Sequence, residues 1–187
     1  IAAKNAKNLF VVSGGVQGIE AFEAQCRAKE ISFTRLNTSH AYHSAMMEQA
    51  AAAYKGAFAD IISTYGAGLA SPNTFTIPFI SCVNGDFITL QQACSADYWA
   101  MQMRNSVNFA AGLDALSQLD NPVFLEIGPG AHLKTLVRKQ LGALPVISCL
   151  PARHNQAQAR HFFMNAIGQC WQHGIELDWD QVFGEAK

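Results

Sequence analysis

The sequence predicts an α/β protein. Residues 123–127 form a short β-branched and aliphatic run that enters Gly128-Pro129-Gly130, an amphipathic segment and a second apolar run at 146–149. That order is a parallel βαβ unit. Upstream, a strand-like run at 9–13 is followed by apolar residues at helical spacing and then by an alternating stretch, the order of strand, helix, strand. Half the residues are apolar and only 14% are charged, so a packed globule is favoured over a disordered tail.

Taken in order, Leu-Phe-Val-Val-Ser at 9–13 is closed by Gly14-Gly15 and reads as a strand. Val16, Ile19, Phe22 and Cys26 then recur at helical spacing up to Glu30. Ile31 and Phe33 alternate with Ser32 and Thr34 and predict a second strand, giving half of a small α+β sandwich. Residues 37–44 break the pattern as a loop. In the helix that follows, Tyr54, Phe58, Ile61 and Tyr65 mark one buried face. Ser71-Pro72-Asn73 lies in a loop over 66–78. Two apolar runs, 79–83 and 87–90, flank Asn84-Gly85, a strong hairpin signal. Helical pattern returns over 97–119, broken near Asn105-Ser106. The βαβ unit comes next, with Leu133, Leu136 and Val137 on the apolar face of its helix. A last helix carries Phe163, Ala166, Ile167 and Cys170 on one face and stops at Gly174.

Bulk properties exclude several function classes. Net charge is −1 with near-neutral pI, whereas nucleic acid or an anionic membrane calls for clustered Lys and Arg. No run approaches the roughly 18 apolar residues of a membrane-spanning helix. Cysteines 26, 82, 94, 149 and 170 form no CxxC pair and read as free thiols of a reducing, cytoplasmic compartment. The chain opens Ile-Ala-Ala-Lys-Asn without Met or a signal pattern, as the interior of a longer polypeptide would.

Chemistry concentrates in Ser39-His40-Ala41-Tyr42-His43-Ser44, a loop between a strand pattern and a helix pattern. A histidine there can act as a general base, because ordered elements fix it while the loop exposes it. Alternatively, His40 and His43 make only loop hydrogen bonds. No Cys, Asp or Glu nearby completes a three-ligand metal set. Gly128-Pro129-Gly130 lacks the Lys-Ser/Thr of a P-loop and the spacing of a dinucleotide loop, and reads as a tight structural turn. His132, His154, His161 and His173 belong to no constellation, and Lys134, Arg138 and Lys139 read as a solvated helix face, with an acidic partner protein as the other option.

Ser-His-Ala-Tyr-His-Ser followed by Met46-Met47-Glu48 resembles the histidine motif of polyketide-synthase acyltransferases. In the same order, residues 5–14 resemble that family's Val-Val-Ser-Gly segment. Ile-Pro-Phe-Ile-Ser-Cys-Val-Asn-Gly at 77–85 resembles its Ile-Pro-Phe strand, and Tyr98-Trp99 through Val107-Asn108-Phe109 its Tyr-Trp helix. Phe-Leu-Glu-Ile-Gly-Pro-Gly at 124–130 completes the series. The resemblance covers essentially the whole chain.

It implies the C-terminal half of a malonyl-CoA:acyl-carrier-protein transacylase domain from a modular synthase. The implied fold is a partial α/β-hydrolase-like acyltransferase core with part of a ferredoxin-like α+β subdomain. Residues 1–37 would complete the small subdomain, 38–150 the large one, and 151–187, with Gly174-Ile175-Glu176-Leu177-Asp178-Trp179, a linker after the acyltransferase. In that family a Ser in a Gly-His-Ser-x-Gly elbow attacks malonyl-CoA and passes malonyl to a carrier-protein phosphopantetheine thiol. By motif position the base maps to His43, and the backbone carbonyl that orients it to Gln102. His40 and Tyr42 map to the substrate side. A bulky Tyr42 favours malonyl over methylmalonyl, a discrimination of about 1–3 kcal/mol.

One departure matters: no Gly-x-Ser-x-Gly occurs here. Ser13-Gly14-Gly15 lacks the leading glycine, and Ser44 is a chain neighbour of His43, a poor attack pair. The implied partners are therefore the missing N-terminal half with its serine and malonyl-binding arginine, an acyl carrier protein, and an adjacent ketosynthase with its linker. No cofactor is expected on this chain, and alone it should be inactive. An acyl hydrolase of the same fold and a non-catalytic docking fragment are the alternatives.

Overall fold

The computed structural model describes residues 1–65 and 76–184, so the Ser71-Pro72-Asn73 turn lies outside the described residues. The content is α/β, in two compact units, Ile1–Leu116 and Ser117–Lys187.

In the first unit, strands β1 (Ala3–Ala6) and β2 (Leu9–Val11) pair antiparallel with Ala3 opposite Val11. Helix α1 (Val16–Ala28) follows. Its buried positions are Glu23 and Cys26, not the whole apolar stripe. Glu23 is tied at 3.3 Å to both Arg27 and Arg35, and the Arg27 guanidinium lies 5.1 Å from the Phe33 ring centre. A carboxylate enters a helix's packed face at low cost when it is paired in this way.

The strand expected from Ile31 and Phe33 is absent: this segment pairs with no other strand among the described residues. Alternation marks a segment able to pair, but a strand forms only where another edge supplies the ladder.

A 3-10 turn, Ala45–Met47, leads into α2 (Glu48–Tyr65). Helices α3 (Leu90–Ala93), α4 (Ala96–Arg104) and α5 (Phe109–Leu116) complete the unit. Glu48 bonds Arg104 at 3.1 Å and Lys55 bonds Asp97 at 2.5 Å. The start of α2 thus meets the end of α4, and the two helices run antiparallel. The aromatic face of α2 is not the buried one expected. Phe58 contacts Trp99 at 6.1 Å, but Tyr54, Ile61 and Tyr65 are exposed.

The Asn84-Gly85 hairpin forms with a single bridge, Ile80 opposite Phe87, and bonds Ser81 N to Asp86 O and Ile88 N to Phe79 O. It is cut short because Thr89 starts α3 with a capping box to Gln92. Ser81 and Tyr98 join hydroxyls in the core.

In the second unit β3 (Phe124–Pro129) and β4 (Val146–Leu150) are parallel and linked through α6 (His132–Leu141), as the βαβ pattern requires. Helix α7 (Ala159–Gln172) packs Ala166 and Cys170 on Ile147 and Cys149. It ends at Gly174, whose φ of +80° and the bonds Gly174 N to Trp171 O and Ile175 N to Cys170 O form a glycine C-cap. Helix α8 (Trp179–Phe183), capped by Asp178, was not foreseen. Trp179 meets Trp171 edge-on, with ring centres 6.3 Å apart, and stacks on Phe183 at 5.8 Å. Burial raises the Cys149 and Cys170 thiols, and nearby Cys170 and Glu126 raise Cys149 further.

Gly85 has φ +77°, and a Cβ built there would lie 2.4 Å from the Ala111 Cβ. We expect Gly85→Ala to destabilise the fold by about 2–4 kcal/mol, from backbone strain and overpacking. Gly56, inside α2 with nothing within 4 Å of its would-be Cβ, is the control: Gly56→Ala should stabilise by about 0.5–1 kcal/mol. Urea unfolding midpoints check both.

Candidate active site

The histidine loop is held from several directions. Ala41 is buried beneath it. The Ser44 hydroxyl donates to Ala41 O at 2.6 Å and accepts from Met46 N at 3.2 Å. It therefore closes the loop and caps the following turn, and is occupied as a hydroxyl. The Ser13 hydroxyl, just beyond β2, donates to Tyr42 O at 2.7 Å.

Between these anchors His43 adopts φ +56°, a left-handed conformation uncommon outside glycine and one that clusters at functional sites. Its Nδ1 lies 2.9 Å from Asn105 O. A carbonyl can only accept, so Nδ1 carries the proton and Nε2 is left with its lone pair. His43 is half-buried, so the ring is fixed without being sealed.

Gln102 does not make this bond. It sits inside α4, where carbonyls run along the helix axis, whereas Asn105 is the C-cap with ψ 164° and turns its carbonyl out of the helix. The orienting carbonyl is therefore Asn105's, one helical turn later. The sequence signal for it is the helix break near Asn105-Ser106, which motif position alone does not weigh.

That junction is itself anchored. Val107 forms a parallel bridge with Ala3, with Lys4 N to Val107 O at 2.8 Å and Val107 N to Ala2 O at 2.9 Å. The Ser106 hydroxyl bonds Ile1 O. Asn108 N donates to Cys82 O at 2.7 Å, and its side-chain amide donates to Val83 O.

The other candidates lie on the same loop as His43. Tyr42 is 47% exposed, its ring 6.0 Å from that of His40, and His40 Nδ1 lies 2.9 Å from Ser39 Oγ. Ser13 was weighed from sequence only as a nucleophile. Its contact spans 29 residues, and no local pattern signals such a bond.

No second chemistry emerges among the described residues. No group of three His, Cys, Asp or Glu stands close enough to hold a metal. At Gly128-Pro129-Gly130 the anion-binding donors are already taken: Glu126 accepts from Leu133 N at 2.8 Å, Lys134 N at 3.2 Å and Ser148 Oγ at 3.0 Å. Gly130 N donates to Leu150 O. The protein's own carboxylate occupies the helix terminus that a phosphate would need. Burial also raises the Cys82 thiol, which keeps it from acting as a thiolate.

The acyl transferase domain model matches residues 1–176. Polyketide synthase GfsA of Streptomyces halstedii is 30% identical over 189 positions, covering 98% of this chain and 2% of that protein. Mycoketide-CoA synthase of Mycobacterium tuberculosis is 30% identical over 187, covering 100% and 4%. Among solved structures, the acyltransferase domain of SpnD in complex with 2-(pent-4-yn-1-yl)malonyl superposes with TM-score 0.73 at 27% identity, covering 87% of this chain and 38% of that one. The acyltransferase domain of the second salinomycin synthase module shares the fold at TM-score 0.81 and 24% identity, covering 98% and 41%. The chain thus spans about two-fifths of these solved domains and a few per cent of the curated relatives.

Neutral His43 should be mostly the Nδ1–H tautomer. Long-range 15N–1H correlation of the imidazole checks this, and a dominant Nε2–H form would contradict the Asn105 contact.

Proposed function

The chain belongs to the acyl transferase domain family, and from that premise we propose that it supplies the general base, His43, of a site that moves malonyl from coenzyme A to an acyl carrier protein. The observation that carries this is the His43 Nδ1 to Asn105 O bond of 2.9 Å, which leaves Nε2 free to take a proton.

Nε2 takes the proton of a serine hydroxyl as that oxygen attacks the malonyl thioester carbonyl. The C–S bond then breaks and coenzyme A leaves with the proton from His43. In the second half, Nε2 deprotonates the phosphopantetheine thiol, whose sulfur attacks the malonyl ester, and the proton returns to the serine. On this reading the serine lies outside this chain, which holds no Gly-x-Ser-x-Gly elbow, and the Ser44 and Ser13 hydroxyls are donated to backbone carbonyls.

Exposed apolar side chains support a larger parent domain. Ile127 is 82% exposed on a strand whose apolar run reads as buried on both faces. On this reading residues 1–37 belong to a ferredoxin-like subdomain, 38–150 to a hydrolase-like core, and 151–187 to a linker. The half carrying the serine packs on the uncovered strands, and the exposed cluster of Trp171, Trp179 and Phe183 meets the neighbouring ketosynthase linker. Tyr42 stands beside the acyl α-carbon and favours malonyl, and His40 lies on the same substrate side.

The test uses the protein extended upstream, mixed with malonyl-CoA and followed by intact mass. A malonyl adduct should form, and His43→Ala should slow it by about 10²–10⁴-fold. Tyr42→Ser should raise methylmalonyl relative to malonyl loading by about tenfold or more. Equal loading by the His43→Ala variant would remove His43 as the base and favour a docking role. Release of free malonate without transfer to carrier protein would favour the hydrolase.

A further inference from the structure

The geometry points to Ser13 as a positioning residue that holds the His43 imidazole through the Tyr42–His43 peptide. The inference rests on the reading of His43 as the base, and names a second residue on which that base depends.

The Ser13 hydroxyl donates to Tyr42 O at 2.7 Å. That carbonyl shares a rigid peptide plane with the amide nitrogen of His43, so fixing it fixes the plane from which the His43 φ is measured. This φ is +56°, which an L-residue with a Cβ leaves readily unless its surroundings hold it. His43 is thus gripped at both ends: Ser13 holds the peptide before it, and Asn105 O holds its ring at 2.9 Å. Without the first grip the peptide can rotate, and the Cα–Cβ direction that aims Nδ1 at Asn105 O rotates with it.

Both grips trace to one hairpin. Ser13 follows the end of β2 by two residues, and β1, the hairpin partner of β2, binds the segment at Val107 that follows Asn105. The two contacts are thereby linked through the paired backbone of β1 and β2.

Ser13 is half-buried near the surface, so substitution there does not threaten the core. The test compares Ser13→Thr with Ser13→Val in the 187-residue chain. The two side chains have nearly the same shape and differ in the hydroxyl. The readout is the His43 ratio of Nδ1–H to Nε2–H tautomer from imidazole 15N shifts. Threonine should keep the wild-type ratio and valine should lower it about tenfold, the worth of one hydrogen bond. An unchanged ratio in both, or an equal change in both, would overturn the proposal, because the hydroxyl would then make no difference.

The ratio does not depend on which acyl group is moved. If the threonine and valine variants differ while His43→Ala still loads malonyl at the wild-type rate, the base assignment fails and the positioning stands. If they do not differ while His43→Ala is slow, the base stands and Ser13 has no part in it.

Discussion

The anchors of the first unit converge on the hydrogen bond between His43 Nδ1 and Asn105 O, because both partners exist in usable form only through bonds made elsewhere. The carbonyl is free only because α4 ends at Arg104 and its cap turns to extended backbone. The extended segment stays in place because each of the next positions is tied to a different part of the chain: Ser106 to Ile1, Val107 to β1, and Asn108 to the hairpin at Cys82 and Val83. The ring reaches the carbonyl only because His43 sits in a left-handed conformation between anchored neighbours. An oriented imidazole on an exposed loop is thereby obtained from short side chains bonded to backbone carbonyls and from paired strands, a supporting shell that fixes the ring in place.

The same economy explains what the second unit does not do. A glycine turn leading into a helix N-terminus offers donors to an anion, but here Glu126 reaches from β3 to two amides of α6 and to Ser148 on β4. One buried carboxylate thus joins strand, helix and strand of the βαβ unit. Its negative charge meets the positive end of the helix, which offsets the cost of burying it. The Glu in the Phe-Leu-Glu-Ile-Gly-Pro-Gly run is a structural clasp.

Sequence alone determined the α/β class, the parallel βαβ unit, the hairpin at Asn84-Gly85, the break between α4 and α5, and the acyl transferase family. These depend on local periodicity, turn chemistry and motif order, all written within short stretches of chain. The loop that carries His40, Tyr42 and His43 was legible as a loop for the same reason. The strand at Ile31 and Phe33 and the buried face of α2 were misjudged because alternation and helical spacing state what a segment can pair with, not whether a partner is present. Only the tertiary structure decided that Asn105 rather than Gln102 orients the ring, that His43 is left-handed, and that Ser13 reaches Tyr42. Those contacts join residues 29 and 62 positions apart, and the direction of a carbonyl at a helix end depends on backbone torsions that residue types do not specify.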